Sequence, residues 1–449
     1  MRRVWASTIG AWLLVLVAAV GLSAMIPPMQ SPDEHSHILR AYLVSKGEIT
    51  LSTPAGMSSG GQVDRSLLYF VNAYLSTTAR SAQGPLDPAR RAAAESLRWS
   101  SNEHFFPVAG TGYYMPLVYV PHAAGLLAGR VLGLTVADTY RLVRLALLLS
   151  CVGLLAAAWR IMRPPALAIA LLLLPMTLFQ LLSPTLDGLT TSLAVLALSV
   201  FWIGVSRGNE WPPGRAWLLA VCVTLLATTR IQLFPLLGMP FFVAWVRRSR
   251  RDAFLGVAAT LLSLAWVAYA LSHTVDLRIQ RADSTGQLLM QYAAHPLAFF
   301  EVVAASLADS KLGPFYSDTF IGVLGWLDTM LPEPAYPALW IGLALCAAAS
   351  VPGARLREAW LARLLLALAA AACALLVFLA LLVTWTPHPA AVVEGVQGRY
   401  FIVPAIMLAY AIGAPTRRRP IQAATFTLLA AFAGVSLYSL VTTMLARYH

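Results

Sequence analysis

The chain has 449 residues, 59% of them hydrophobic and 12% charged, with a mean hydropathy of +0.70. A soluble domain carries about 25% charge, so the composition excludes an ordinary soluble enzyme and leaves a protein with many membrane spans. The formal charge of +12 comes almost wholly from arginine. These arginines stand in short clusters between apolar runs, which is the positive-inside pattern and not a nucleic-acid surface, and no nucleic-acid partner is expected.

Residues 1–26 begin Met1-Arg2-Arg3 and run apolar to Ile26. A basic start and an apolar middle suit a signal peptide, but the run is long for one and Met25-Ile26-Pro27-Pro28 is a poor cleavage site, so an uncleaved first span is expected. In residues 27–138 charge, Gly, Pro and Ser rise, and no clean run of about 20 apolar residues occurs. This reads as a large loop outside the membrane. Its second half, "GYYMPLVYVPHAAGLLAGRVLGL", is broken by Pro116 and Pro121 and fits helices lying at the interface.

Further spans are expected at 139–161, 166–183, 187–205, 216–229, 231–246, 253–271, 336–352, 359–384, 400–414 and 421–445, about eleven with the first. Arg160 and Arg163, Arg207 and Arg215, Arg247 to Arg251, Arg355 to Arg363, and Arg417 to Arg419 then all fall on the cytoplasmic side. The amino terminus is expected there too. The segments 27–138, 183–187, 272–335 and 385–399 lie outside and hold nearly all the chemically interesting residues. The organisation is one transmembrane domain: a first span, a large outer loop (27–138), spans (139–271), a second large outer loop (272–335) and carboxy-terminal spans (336–449). The four cysteines lie inside apolar runs without CxxC spacing and read as core residues. No internal repeat or Walker loop supports a pump.

The first chemical stretch is "PPMQSPDEHSHILR", residues 27–40. Locally it is a helix start, with Ser31 as N-cap, Pro32 at the first helical position and Glu34 as the capping-box partner. On that helix Asp33, His37 and Arg40 share one face. Asp33 would then be a fixed carboxylate at the membrane surface, suited to general-base work and oriented by His37 and Arg40. Asp33 with His37 is also a candidate metal pair, though two ligands are a weak signal.

The next is "LLSPTLDGLTT", where Asp187 stands alone between apolar runs. It either caps a helix or is functional, because acids near lipid are costly. In "ATTRIQLFP", Arg230 closes a short hairpin and is a second phosphate candidate. In "YSDTFIGVLGWLDTMLP", Trp326 reads either as an interface anchor or as a sugar platform, with Asp328 beside it. In "VVEGVQGRYFIVP", Gln397, Arg399 and Tyr400 stand where an outer loop enters a span. Arg399 either snorkels to lipid headgroups or clamps a lipid phosphate, whose oxygens match the guanidinium fork.

Together "PPMQSPDEHSHILRAYLVSKGE", "SPTLDGL", "GVLGWLDTMLP" and "GVQGRYFIVP" resemble the motifs of the bacterial DUF2142 membrane proteins, over about residues 20 to 445. That group is similar to the GT-C glycosyltransferases. The resemblance implies an all-α, GT-C-like membrane protein of a bacterial inner membrane with its active face outward. It implies an inverting glycosyltransferase that takes sugar from a polyprenyl-phosphate donor and passes it to a cell-envelope glycan or lipid-linked acceptor. By the same resemblance Asp33 is the candidate base with Glu34 beside it, Asp187 a second acid, and Arg399 the residue near the donor phosphate. Arg230 stands where relatives usually carry lysine. A divalent cation, Mg²⁺ or Mn²⁺, stays open as cofactor. The rival readings are a flippase or carrier of lipid-linked glycans and a non-catalytic partner in polysaccharide assembly. A carrier needs charge in mid-span, and the charges here sit at span boundaries.

Overall fold

The computed structural model describes residues 2–78, 87–206, 208, 210–278, 283–351, 359–413 and 419–449. Arg207, Arg355, Arg357, Arg417, Arg418 and the side chain of Arg419 lie outside the described residues. The apolar sequence folds into helices, because a backbone in lipid must satisfy its own hydrogen bonds. The first apolar run is α1 (Arg2–Ala24). The loop that follows holds α2 (Glu34–Ser45), α3 (Arg65–Leu75), α4 (Pro88–Ser96) and α5 (Val120–Val131). It also holds an antiparallel pair, β1 (Gly60–Asp64) and β2 (Glu103–Pro107), with Gly60 opposite Pro107 and Asp64 opposite Glu103. A hydrophobic core of its own, containing Met29, Leu39, Phe70 and Tyr119, ties this layer to the start of the next helix.

Then come α6 (Val136–Ile161), α7 (Ala166–Leu172), α8 (Pro175–Leu182), α9 (Leu186–Val205) and α10 (Pro213–Thr229). After a 3-10 stretch at Ile231–Leu237 follow α11 (Gly238–Arg247) and α12 (Arg250–His273). The second loop contains α13 (Thr285–Ala294), α14 (Pro296–Ala308), α15 (Leu312–Ile321) and the short hairpin β3 (Val323–Leu324) and β4 (Thr329–Met330). The chain closes with α16 (Ala335–Ser350), α17 (Trp360–Thr384), α18 (Ile402–Ile412) and α19 (Arg419–Tyr448).

Among the described residues, five helices are long and apolar enough to cross a membrane: α6, α9, α12, α17 and residues Gln422–Tyr448 of α19. The pair α13 and α14, bent by 101°, would make a sixth if it were one span. That pair lies in 272–335, which the sequence reads as loop. The other expected spans are shorter or broken. The run 166–183 is two helices, because Pro175 lacks an amide donor and disfavours helical backbone at Leu174, which is extended. The 231–246 and 400–414 runs each begin in 3-10 geometry. Within 113–138 no long helix forms; α5 has 12 residues and packs on α6.

The helix ends alternate between two faces of the molecule. At one face Ser23 Oγ donates to the Leu182 carbonyl at 2.7 Å, and His449 Nε2 lies 3.0 Å from the Met25 carbonyl oxygen. At the other, Arg247 Nε donates to the Gly204 carbonyl at 2.7 Å, Leu167 N to Ser350 Oγ at 2.8 Å, and Arg363 to the Ala411 carbonyl at 2.6 Å. Among the described residues, the arginines at these helix ends, Arg247 and Arg363, thus lie at the face opposite the 27–135 layer.

Candidate functional site

The helix start at 27–40 differs from its sequence reading. The first helical residue is Glu34, and the residue before it, Asp33, has φ 64° and makes no side-chain cap. Neither Ser31 nor Pro32 takes the expected place. Half of the capping box survives, since Ser31 N donates to Glu34 Oε2 at 3.1 Å. Glu34 is fully buried and also accepts from Met29 N at 2.9 Å and from the Tyr140 hydroxyl. It holds the turn, while Asp33 is left projecting with its side chain 61% exposed. Left-handed backbone is unfavourable for a residue with a Cβ, though Asp tolerates it better than most.

Asp33 projects toward residues from three distant parts of the chain. Arg399 Nη2 is 3.4 Å from Asp33 Oδ2 and Arg399 Nη1 is 3.1 Å from Asp187 Oδ2. Asp187 Oδ1 pairs with Arg230, whose Nη1 donates to the Tyr114 hydroxyl at 3.2 Å. The order is therefore Asp33, Arg399, Asp187, Arg230, Tyr114, with acid and guanidinium alternating. Gln397 Oε1 accepts from Arg399 Nε at 2.7 Å, and the guanidinium lies over the Tyr400 ring at 5.2 Å. Gln180 joins them: with its nitrogen toward Asp187 Oδ2 (3.3 Å) and its oxygen toward Arg399 Nη1 (3.2 Å), both ends are satisfied.

The elements that hold these side chains are specific. Asp187 is in the first turn of α9, where the helix dipole favours a negative charge. The neighbouring Gly188 lets α8 approach, since a Cβ there would be 2.8 Å from the Gln180 carbonyl oxygen. Arg399 lies in the 3-10 turn Gly398–Phe401, which is fixed where Gly398 N donates to Thr319 Oγ1 at 2.7 Å. A Cβ on Gly398 would meet the Tyr316 carbonyl oxygen at 2.1 Å and Phe320 N at 2.2 Å, so α15 sets the height of the arginine.

Although the Asp33 side chain is 61% exposed, the protein around it excludes enough water to push its carboxyl up; Arg399, then His37, Arg230 and His35 outweigh this, and the net shift is downward. His37 is 3% exposed, and burial pushes its pKa down to about 4 against the upward pull of Asp33. It is therefore neutral at ordinary pH. Its Nδ1 is 2.9 Å from the Tyr119 hydroxyl, and its ring stacks on Tyr114 at 5.9 Å.

Three sequence candidates lie elsewhere. Arg40 donates to the Glu48 carbonyl at 3.1 Å and the Ile49 carbonyl at 2.5 Å, closing the turn after α2 instead of facing Asp33. Asp328 faces Arg447 at 3.7 Å. Trp326 donates to the Met29 carbonyl at 2.9 Å and stacks on His35 at 5.6 Å, so it borders the Asp33 turn without joining the ion-pair chain. Among the described residues no three His, Cys, Asp or Glu side chains gather as a metal-ligand group. Tyr114, Tyr119 and Gln180 escape a sequence reading because each sits in an apolar or aromatic run that looks like core.

The family model for DUF2142, described as a predicted membrane protein, matches residues 14–409. The chain belongs to that family. Neither the curated proteins nor the solved structures hold a match to it.

Proposed function

We propose that this DUF2142 protein is an inverting membrane glycosyltransferase of GT-C type, using a polyprenyl-phosphate-linked sugar on the outer face of a bacterial inner membrane. The single observation that carries the reading is the convergence of Asp33, Asp187, Arg230 and Arg399, from four separated segments, in one ion-pair chain. Eleven passes, with the arginine turns in the cytoplasm, belong to the same proposal and are supported by the alternation of helix ends.

The chemistry assigns each group a task. The acceptor hydroxyl attacks the anomeric carbon as the bond from that carbon to the phosphate oxygen breaks. The hydroxyl proton passes to Asp33, the partly exposed carboxylate of the cluster. The phosphate leaves with the bonding pair, and Arg399 and Arg230 stabilise its growing charge. Asp187 holds both guanidinium groups until the donor arrives. His37, neutral and hydrogen-bonded to Tyr119, shapes the floor under Asp33. A site at the lipid surface suits a donor whose tail stays in the bilayer. A divalent cation, Mg²⁺ or Mn²⁺, has a place in this proposal only as a further charge on the phosphate.

The test is sugar transfer from a polyprenyl-phosphate donor by membranes holding equal amounts of wild type, Asp33→Asn and Arg399→Lys. Loss of a positioned base reduces rate by about 10² to 10⁴, and Asp33→Asn is expected to fall in that range. Arg399→Lys keeps the charge but not the fork, and is expected to raise the donor concentration needed. Wild-type rates in Asp33→Asn remove the base assignment. Donor binding without any transfer favours a carrier or a non-catalytic assembly partner.

A further inference from the structure

Away from the Asp33–Arg399 cluster, α1, α6 and α19 meet α3 and α4 around a cavity of about 700 Å³. That volume lies within the range of about 300 to 1,000 Å³ usual for small-ligand sites. Its apolar wall is Val20, Ala24, Leu145 and Leu148. Val20 is 40% and Leu145 37% exposed, so the wall continues into the apolar outer surface of α1 and α6, where Leu13, Leu14 and Leu149 are also exposed. In a membrane that surface meets acyl chains.

The polar side of the cavity carries Arg91, Arg141, Arg144 and Arg447, with Glu95 as the carboxylate side chain among its lining residues. Glu95 pairs with Arg91 at 3.2 Å and Arg141 at 3.3 Å. The other nearby acid side chains are not among those lining residues. Asp138 holds Arg141 at 2.6 Å and Asp328 reaches Arg447 at 3.7 Å. Glu34, 4.0 Å from Arg144, is already engaged by Met29, Ser31 and Tyr140.

Two lining groups hold donors without acceptors. Arg144, 8% exposed, gives its terminal nitrogens to the Ser23, Ile26 and Pro27 carbonyls, but its Nε has no partner. The Tyr448 hydroxyl has none either. Buried donors are ordinarily satisfied, and one left unmade is costly. Those two atoms lie beneath the cavity surface, whereas the guanidinium groups of Arg141, 58% exposed, and Arg447, 35% exposed, are open to it and match an anionic headgroup.

We propose that this cavity binds an amphiphile with a phosphate or carboxylate head. The head lies between Arg141 and Arg447, and the tail leaves past Val20 and Leu145 into the bilayer. The site is separate from the candidate reaction centre and stands whether or not the chain transfers sugar. Its wall includes Pro27, Pro28 and Gln30, so an occupant braces the segment that leads to Asp33.

The test is native mass spectrometry of the full chain in detergent, titrated with phosphatidylglycerol, with phosphatidylcholine of the same chains, or with inorganic phosphate alone. One phosphatidylglycerol is expected to be retained in preference to phosphatidylcholine. Arg144→Gln also loosens the end of α1, so the variants are Arg141→Gln with Arg447→Gln, and Leu145→Trp to fill the tail path. A charge near a membrane surface contributes about 1 kcal/mol per arginine, so the double variant should weaken phosphatidylglycerol retention by roughly tenfold or more and leave phosphatidylcholine unchanged. Leu145→Trp should weaken the lipid but not inorganic phosphate. Retention of inorganic phosphate without lipid selectivity assigns the same guanidinium groups to a soluble anion. Equal retention of both lipids, or none of either lipid or of phosphate, overturns the proposal, as does a double variant that binds like wild type.

Discussion

At the residue scale, Asp33 separates structural from chemical need. Its φ of 64° and its lack of a side-chain cap mean that the backbone gains nothing from an aspartate there. Glycine takes that conformation freely and, where it fits, avoids the left-handed cost. Asp33→Gly is therefore expected to keep or raise the melting temperature in detergent while abolishing transfer. A fall of several degrees would return Asp33 to a structural role. His37 supplies a pH prediction. Its folded pKa of about 4 lies below the ordinary 6.5, so the folded state binds fewer protons between those values. The stability is present above about pH 6.5 and is lost as pH falls through 4, an effect of about 3 kcal/mol at most. His122, pushed down to about 3 by burial, adds to the same acid limb. His37→Gln should flatten the decline in melting temperature between pH 7 and pH 4, and an unchanged slope would show that His37 does not titrate as described. Arg40 shows why spacing misleads at this scale. Seven residues on, it shares an angular face with Asp33 but lies about 10 Å further along the axis, where it meets the Glu48 and Ile49 carbonyls instead.

At the element scale, the 3-10 turn Gly398–Phe401 is the piece that aims Arg399. Its contact with α15 leaves no room for a methyl group, because the obstacles are backbone atoms at 2.1 and 2.2 Å. Overpacking of this kind costs about 1–3 kcal/mol. Gly398→Ala should lower both stability and transfer, whereas Gly188→Ala, with its nearest backbone atoms at 2.8 Å, should be milder on both measures. Equal effects would mean that the turn is free to shift. The break between α7 and α8 belongs here as well. Pro175 is visible in the sequence, but an apolar run of 18 residues outweighs one proline in a hydropathy reading, and the break appears only once the backbone is traced. The α13–α14 bend has the same origin, since His295-Pro296 ends one apolar helix and begins the next at 101°.

At the scale of the whole molecule, the described arginines Arg247 and Arg363 and the Asp33 layer occupy opposite faces. A reporter fused after Arg251 is expected to read cytoplasmic, and one placed within residues 60–100 is expected to read outside. Either reading reversed would invert the membrane orientation and place the acid–arginine cluster in the cytoplasm, away from any outward-facing donor.

The sequence by itself determined the class of the molecule, its helical character and the segments that hold the candidate residues. Those follow from local quantities: charge density, apolar run length, and acids or arginines placed where lipid makes them costly. Asp33, Asp187, Arg230 and Arg399 were legible for that reason, and Gln397 and Tyr400 only as neighbours of Arg399 at a span entrance. Tertiary structure decided which of them meet. Asp33 and Arg399 are 366 positions apart, and their approach depends on α9, α15 and the Met29–Asp33 turn being packed together. It also decided that Glu34 is the buried anchor and Asp33 the projecting acid. Two adjacent carboxylates look alike in sequence, and only the position of Tyr140 and the backbone amides of Met29 and Ser31 distinguishes them.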